Sequence, residues 1–210
     1  MARKLVMLFA TLIALLPLSA VRAADTTADP AAQQIQTFYA SLLETMKHGP
    51  ELGVQGRYKA LAPAIDRVYG LPIMMQLIVG PSWSTMAEAD RTVLLAAFRR
   101  MTVADYASNF DKFSGEQFEV DPTVQQRGGD KIVQTKLIPS GAKPVSLVYR
   151  MREQSGNWKV IDVYLAGYVS QAALKRSDFA STLASGGPIA LAAKINSIAD
   201  NALAGAKPGQ

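Results

Sequence analysis

The chain has 210 residues, 49% of them hydrophobic, with a formal net charge of +5, one histidine and no cysteine. The lack of cysteine excludes disulfides, a lipoprotein anchor and a cysteine nucleophile. His48 alone supplies too few ligands for a zinc site and leaves a nucleophilic triad hard to build.

Residues 1–23 have the pattern of a secretory signal peptide. Arg3 and Lys4 precede an apolar run over residues 5–20, and small or apolar residues stand before a cut after Ala23. An uncleaved transmembrane helix is the alternative, which the short run disfavours because a bilayer needs about 20 apolar residues. We therefore expect export to the periplasm.

Removal of the signal peptide changes the charge balance. It takes away three of the 22 basic residues and leaves 19 against 17 acidic ones. The remaining basic residues are scattered rather than forming a stripe, which disfavours nucleic-acid binding. Residues 24–210 are expected to form one domain.

Helical periodicity dominates the first half of this domain. Asp29 and Pro30 offer an N-cap and a first helical position. Pro63 is expected to begin or kink the second helix, and Thr85 and Glu88 have capping-box spacing ahead of a long helix. The predicted helical segments are residues 30–49, 57–69, 69–80 and 86–110.

The apolar period changes from 3.6 to 2 after Gly115. Turn sequences RGGD, SGAK and QSGN separate the strand candidates, so an antiparallel meander is predicted. Two further helices follow, at about 168–184 and 188–203, around the break SGGP. The predicted strands are residues 116–121, 130–138, 144–152 and 157–165.

This order of elements predicts the fold class. It is typical of an α+β domain with a four-stranded, or slightly larger, curved antiparallel sheet covered by helices on one face. Such a cone can enclose an apolar cavity. The stretch YGLPIMMQLIVGPSWS (residues 69–84) favours an adaptable wall, because methionine fills irregular apolar space.

Asp162 is the candidate for acid–base chemistry. It shares a predicted strand face with Trp158, Val160 and Tyr164 and could lie near Tyr149 or Tyr106. A buried carboxylate beside tyrosines serves some cone-shaped isomerases. The alternative is a structural carboxylate bonded to backbone amides or to an arginine.

His48 is expected to interact with a helix C-terminus. The sequence has no calcium-loop spacing and no glycine-rich phosphate loop, so no metal or cofactor is expected.

The order of several residues resembles the MlaC family of periplasmic phospholipid-binding proteins, also called toluene-tolerance auxiliary components. The resemblance spans about residues 31–203, and DVYLAGYVSQ is most similar to the hopanoid-associated HpnM branch. The chain departs from the family in having Leu174-Lys175-Arg176 where phospholipid carriers have an aromatic–Arg pair. The residues that carry the resemblance are Ile73, Met74, Val79-Gly80, Trp83, Arg91, Phe98, Tyr106 and the segment 158–179.

The resemblance implies lipid transport without catalysis. The carrier would enclose the tails of a phospholipid or hopanoid-type lipid and shuttle it between the inner and outer membranes, which contributes to outer-membrane lipid asymmetry. The implied partners are an inner-membrane ABC-type lipid transporter complex and an outer-membrane lipoprotein–porin complex. We expect a monomer.

The expected lipid-binding residues come from the inward faces of the predicted elements. Two alternatives remain: a cone-shaped enzyme acting on a polycyclic or isoprenoid lipid through Asp162, and a structural partner of a membrane complex. The expected lining residues are Met74, Leu77, Ile78, Trp83, Phe98, Met101, Tyr106, Leu147, Tyr149, Val160 and Tyr164.

Overall fold

The computed structural model describes residues 28–205, so the predicted signal peptide lies outside the described residues. None of the helices between residues 28 and 205 has the length and hydropathy that a membrane-spanning segment needs. The helices are α1 (Pro30–Lys47), α2 (Gly49–Val68), α3 (Leu71–Val79), α4 (Ser82–Thr85), α5 (Glu88–Asn109) and α6 (Gln171–Leu203). The strands are β1 (Gln117–Val120), β2 (Gln125–Arg127), β3 (Asp130–Ile138), β4 (Val145–Gln154), β5 (Asn157–Leu165) and β6 (Val169–Ser170).

The sheet confirms the predicted α+β class and adds two short strands to the four expected. Its order is β1-β3-β4-β5-β6, with β2 also beside β3, and every pairing is antiparallel. The sheet is curved and does not close. The additional strands β2 and β6 have only three and two residues, too few to show an apolar period.

A bulge between β4 and β5 interrupts the alternation of faces. On one side of it Tyr149 lies opposite Val163, and on the other Met151 lies opposite Val160. Directly opposed residues share a face of the sheet, and an extra residue in β5 shifts its alternation by one position. Val160 and Val163 therefore lie on the same face, although a strict period of two would separate them.

The same bulge corrects the expected position of Asp162. Asp162 lies opposite Arg150, and Tyr164 lies opposite Val148, on the face of the sheet that points away from Tyr149. The prediction that Asp162 and Tyr164 share a face with Val160 is wrong, because it assumed an unbroken period.

The predicted helix start and helix break are confirmed where a single residue determines the local backbone. The Asp29 carboxylate accepts a hydrogen bond from the Ala31 N–H at 2.8 Å, and Pro30 follows it, so the predicted start of α1 is confirmed. The predicted break in the last helical region is also confirmed, because Gly187 has φ 67° inside α6. A positive φ of this kind is accessible to glycine at little cost.

Two helix predictions are wrong. The irregular residue of α2 is Gly53, with φ 58°, whereas Pro63 lies within helical backbone. The capping box fails as well, because Thr85 donates to the Ser82 carbonyl inside α4 and Ala87 is the N-cap of α5. In both places the chain turns at a residue that the side-chain pattern did not mark.

The main core lies where α1, α2, α3, α5 and α6 meet the sheet. The apolar stripe of α1 is buried as predicted, and much of the methionine-rich stretch becomes α3, with Met75 fully buried. Helix α5 packs along α6, and Phe98 and Met101 of α5 are 1% and 0% exposed. Helix α2 packs against both α1 and α5, so the two helices lie together over the inward face of the sheet.

Candidate functional site

An apolar cavity of about 260 Å³ lies between the inward face of the sheet and helices α1 and α5. For scale, an apolar cavity of about 150 Å³ is large enough to bind benzene. The space can therefore hold a length of hydrocarbon chain. The lining residues are Tyr39, Leu42, Tyr106, Asn109, Phe110, Phe118, Leu147, Tyr149, Val163, Leu165 and Gln171.

Aromatic rings form much of the wall. Tyr39 of α1 stacks on Phe118 of β1 with ring centroids 4.4 Å apart, and Tyr106 stacks on Phe110 at 5.5 Å. Stacked rings hold each other in place and present large apolar surfaces. The wall therefore offers chiefly carbon atoms to a ligand.

A network of buried hydroxyl groups lies behind this wall. The Tyr39 hydroxyl is 2.7 Å from Thr135 Oγ1 and 3.0 Å from the Tyr149 hydroxyl, and Thr135 donates to the Leu147 carbonyl at 2.9 Å. The hydroxyls of Tyr69 and Tyr106 are hydrogen-bonded to each other. Because the hydroxyls satisfy one another, the cavity needs no polar ligand group to complete them.

Burial keeps these phenols neutral. Removal from water raises the pKa of Tyr39, Tyr69, Tyr106 and Tyr149 above the ordinary value for tyrosine. At neutral pH the cavity therefore carries no phenolate, and its wall suits an uncharged hydrocarbon.

The cavity reaches the surface near the start of α6. Asn109 and Gln171 line it there, and Leu165 is 43% exposed while also lining the cavity. The two amide side chains place polar groups at the rim, whereas the interior is apolar. An amphiphile would therefore enter with its hydrocarbon end first.

The Asp162 carboxylate does not face the cavity; it stabilises the rim through hydrogen bonds. Its Oδ1 accepts from the backbone N–H groups of Val163 at 2.8 Å and Ala172 at 3.0 Å, and its Oδ2 accepts from Ser170 Oγ at 2.6 Å. These bonds tie β5 to the first turn of α6. The arrangement matches the structural carboxylate that the sequence left open as the alternative to acid–base chemistry.

Other chemistry-bearing groups do not converge. His48 caps the end of α1 and lies between Glu44 and Glu51, at 3.2 and 3.6 Å, on the exposed surface. Within residues 28–205 no three His, Cys, Asp or Glu side chains are grouped so that they could hold a metal ion.

The expected lining residues lie in four different places in the structure. Tyr106, Leu147 and Tyr149 line the cavity. Leu77, Ile78 and Trp83 line grooves between the α3–α4 region and α6. Tyr164 lies on the opposite face of the sheet, beside Val148. The residues that pack within the core are Met74, Phe98, Met101 and Val160.

Several cavity residues were missing from the expected set. Tyr39 belongs to the apolar stripe of α1, which the sequence shows clearly, but nothing in a stripe separates a cavity wall from packed core. Phe110 and Phe118 flank the change from helix to sheet, and Val163 reaches the wall only because of the bulge in β5.

Comparison with known proteins agrees with this geometry. The fold is similar to that of a phospholipid-binding protein from Ralstonia solanacearum, solved in complex with a phospholipid. The TM-score is 0.72 and the identity 19%, over 83% of this chain and 99% of that chain. A comparison with curated proteins found no match. The family model described as MlaC protein matches residues 36–197, most of the chain from α1 into α6. The chain therefore belongs to the MlaC protein family.

Proposed function

We propose that this protein is a periplasmic lipid carrier without catalytic activity. The observation that carries the proposal is the aromatic cavity between the sheet, α1 and α5, whose interior is apolar and whose rim is polar. Membership of the MlaC family supports the same function. Residues 1–23 serve as the signal peptide, and residues 24–210 form one lipid-binding domain.

The energetics favour a carrier of hydrocarbon chains. Each methylene removed from water contributes about 0.8 kcal/mol, so an unassisted lipid leaves a membrane rarely. The cavity compensates with apolar contact and has no buried charge on its wall. Release remains possible because no strong polar anchor holds the chain.

The cargo is a phospholipid or a hopanoid-type lipid. A phospholipid is supported by the Ralstonia solanacearum protein, which has the same fold and was solved with a phospholipid bound. A hopanoid is supported by the resemblance of DVYLAGYVSQ to the HpnM branch. The partners are an inner-membrane transporter complex and an outer-membrane lipoprotein–porin complex, as in the family that the sequence resembles.

The test is the lipid that copurifies with the protein. Native mass spectrometry should give the protein mass plus a lipid, and extraction should identify it. Leu147 lines the cavity, so Leu147→Trp should fill the space and sharply reduce the bound lipid. Val148→Trp is the matched control, because the neighbouring residue lies on the other face of β4.

Folding must be checked in the same samples. Inserting a large side chain into packed space costs about 1–3 kcal/mol, so each variant is compared with the delipidated parent in a thermal melt. If folded Leu147→Trp protein retains as much lipid as Val148→Trp protein, the cavity is not the lipid site. If the parent carries no lipid at all, the carrier function fails.

A further inference from the structure

A second concave surface, here called the basic groove, lies between the α3–α4 region, β4 and α6. It encloses about 370 Å³. Two guanidinium groups line it, and no acidic side chain from residues 28–205 does so. Its polar residues are Gln76, Ser84, Arg152 and Arg176, and its apolar ones include Leu77 and Trp83.

The Arg176 guanidinium lies against the backbone at Gly80. A Cβ added to Gly80 would lie 2.8 Å from Arg176 Nη2 and 3.0 Å from its Cζ, and Gly80 has φ 74°. Glycine adopts this φ at little cost, and its missing Cβ leaves room for the Arg176 guanidinium beside the backbone. None of the carboxylates in residues 28–205 forms an ion pair with Arg176. Its charge is therefore available to a ligand.

The Arg152 guanidinium forms an ion pair with Asp130 of β3. Its Nε and Nη2 donate to the two carboxylate oxygens of Asp130 at 2.6 and 2.9 Å, and Arg150 donates to the same carboxylate. One buried carboxylate thus faces two guanidinium groups, which leaves an excess positive charge beside the groove. Nη1 of Arg152 takes no part in these bonds.

A trough lined mostly by apolar side chains, here called the apolar trough, continues from the basic groove. It encloses about 330 Å³, shares Pro81 and Arg176 with the groove, and is lined by Val79, Phe179 and Leu183 among others. A guanidinium at the junction of a polar groove and an apolar trough matches an amphiphile with an anionic head. Arginine forks suit phosphate oxygens in particular.

We propose that the basic groove binds the phosphate of an amphiphile, whose chain lies in the apolar trough. Arg176 supplies the principal contact and Arg152 the second. The site is separate from the cavity between the sheet and α1, so this proposal does not depend on the carrier function. Free phosphate is the other source of the same chemistry, and the test separates the two.

The experiment titrates dodecyl phosphate, below its micelle concentration, into delipidated protein. The chain has two tryptophans, Trp83 and Trp158, and only Trp83 lines the groove. In a Trp158→Phe background, tryptophan emission should change saturably. Arg176→Gln should weaken the apparent affinity about tenfold or more, as expected for a charge-assisted hydrogen bond. Arg67→Gln removes an exposed arginine of α2 outside the groove and should leave the affinity unchanged.

Three results would overturn the proposal. The first is dodecyl phosphate binding that Arg176→Gln does not weaken. The second is equally tight binding of uncharged dodecyl maltoside, which would make the phosphate irrelevant. The third is equally tight binding of inorganic phosphate, which would make the chain irrelevant. This experiment measures binding of added dodecyl phosphate, whereas the carrier function is tested by the lipid that copurifies. Failure of one proposal can therefore be distinguished from failure of the other.

Discussion

The removal of the Asp162 carboxylate tests its role as a tether between β5 and α6. Asp162 is 4% exposed and accepts three hydrogen bonds, from Val163, Ser170 and Ala172. Asp162→Ala leaves the buried Ala172 N–H and the Ser170 hydroxyl without this partner. A buried donor left unsatisfied costs about 1–3 kcal/mol, so we expect a loss of about 2–4 kcal/mol of unfolding free energy.

Urea unfolding and thermal melts measure this loss. For a chain of this size, 1 kcal/mol corresponds to a change of about 2–4 °C in Tm. Asp178→Ala is the matched control, because Asp178 is an exposed aspartate in the first half of α6. That variant should stay within about 0.5 kcal/mol of the parent.

Asp162→Asn separates the tether from catalysis. The amide oxygen can still accept from the backbone N–H groups, so the variant should fold and retain its lipid. An unchanged urea midpoint for Asp162→Ala would refute the tether. A folded Asp162→Asn variant that accumulates an unconverted polycyclic or isoprenoid lipid would refute the carrier and favour the enzyme.

Two further predictions concern packing and pH. Gly49→Ala should lower the unfolding free energy measured in urea by about 1–3 kcal/mol, because the new Cβ would lie 2.1 Å from the Asp111 carbonyl oxygen. Gly129→Ala is the control and should change little, because no atom lies within 4 Å of its Cβ position. Equal effects of the two substitutions would contradict the close contact. Burial raises the pKa of Tyr149, so the fold favours the neutral phenol, and the unfolding free energy should fall as pH rises above about 10. The measurement is the slope of the unfolding free energy against pH, from urea unfolding between pH 9 and 11. Tyr149→Phe should reduce this slope, whereas Tyr168→Phe, at a 78% exposed position, should not. Equal slopes for the two variants would contradict the prediction.

Short-range features of the chain could be predicted because one or a few neighbouring residues decide them. The cap at Asp29, the break around Gly187 and the four predicted strands depend on local hydrogen bonding, glycine geometry and apolar period. The family resemblance likewise rests on the order of residues along the chain, and the family model confirms it.

The position of the cavity depends on packing between distant elements. Tyr39 and Met74 are both buried and apolar in character, yet Tyr39 faces the cavity and Met74 lies in the core. Periodicity indicates which face of an element is buried. It contains no information on whether the opposing element approaches closely enough to fill the space.

The amino-acid sequence by itself determined the class of fold, the family and the apolar character of the interior, since these follow from local pattern and residue order. Only the tertiary structure decided which apolar residues surround empty space. The bulge in β5 is the clearest case, because one extra residue brings Val163 to the cavity wall and turns Asp162 and Tyr164 away. Such a register shift is fixed by pairing with β4, a partner strand, and not by any residue of β5 alone.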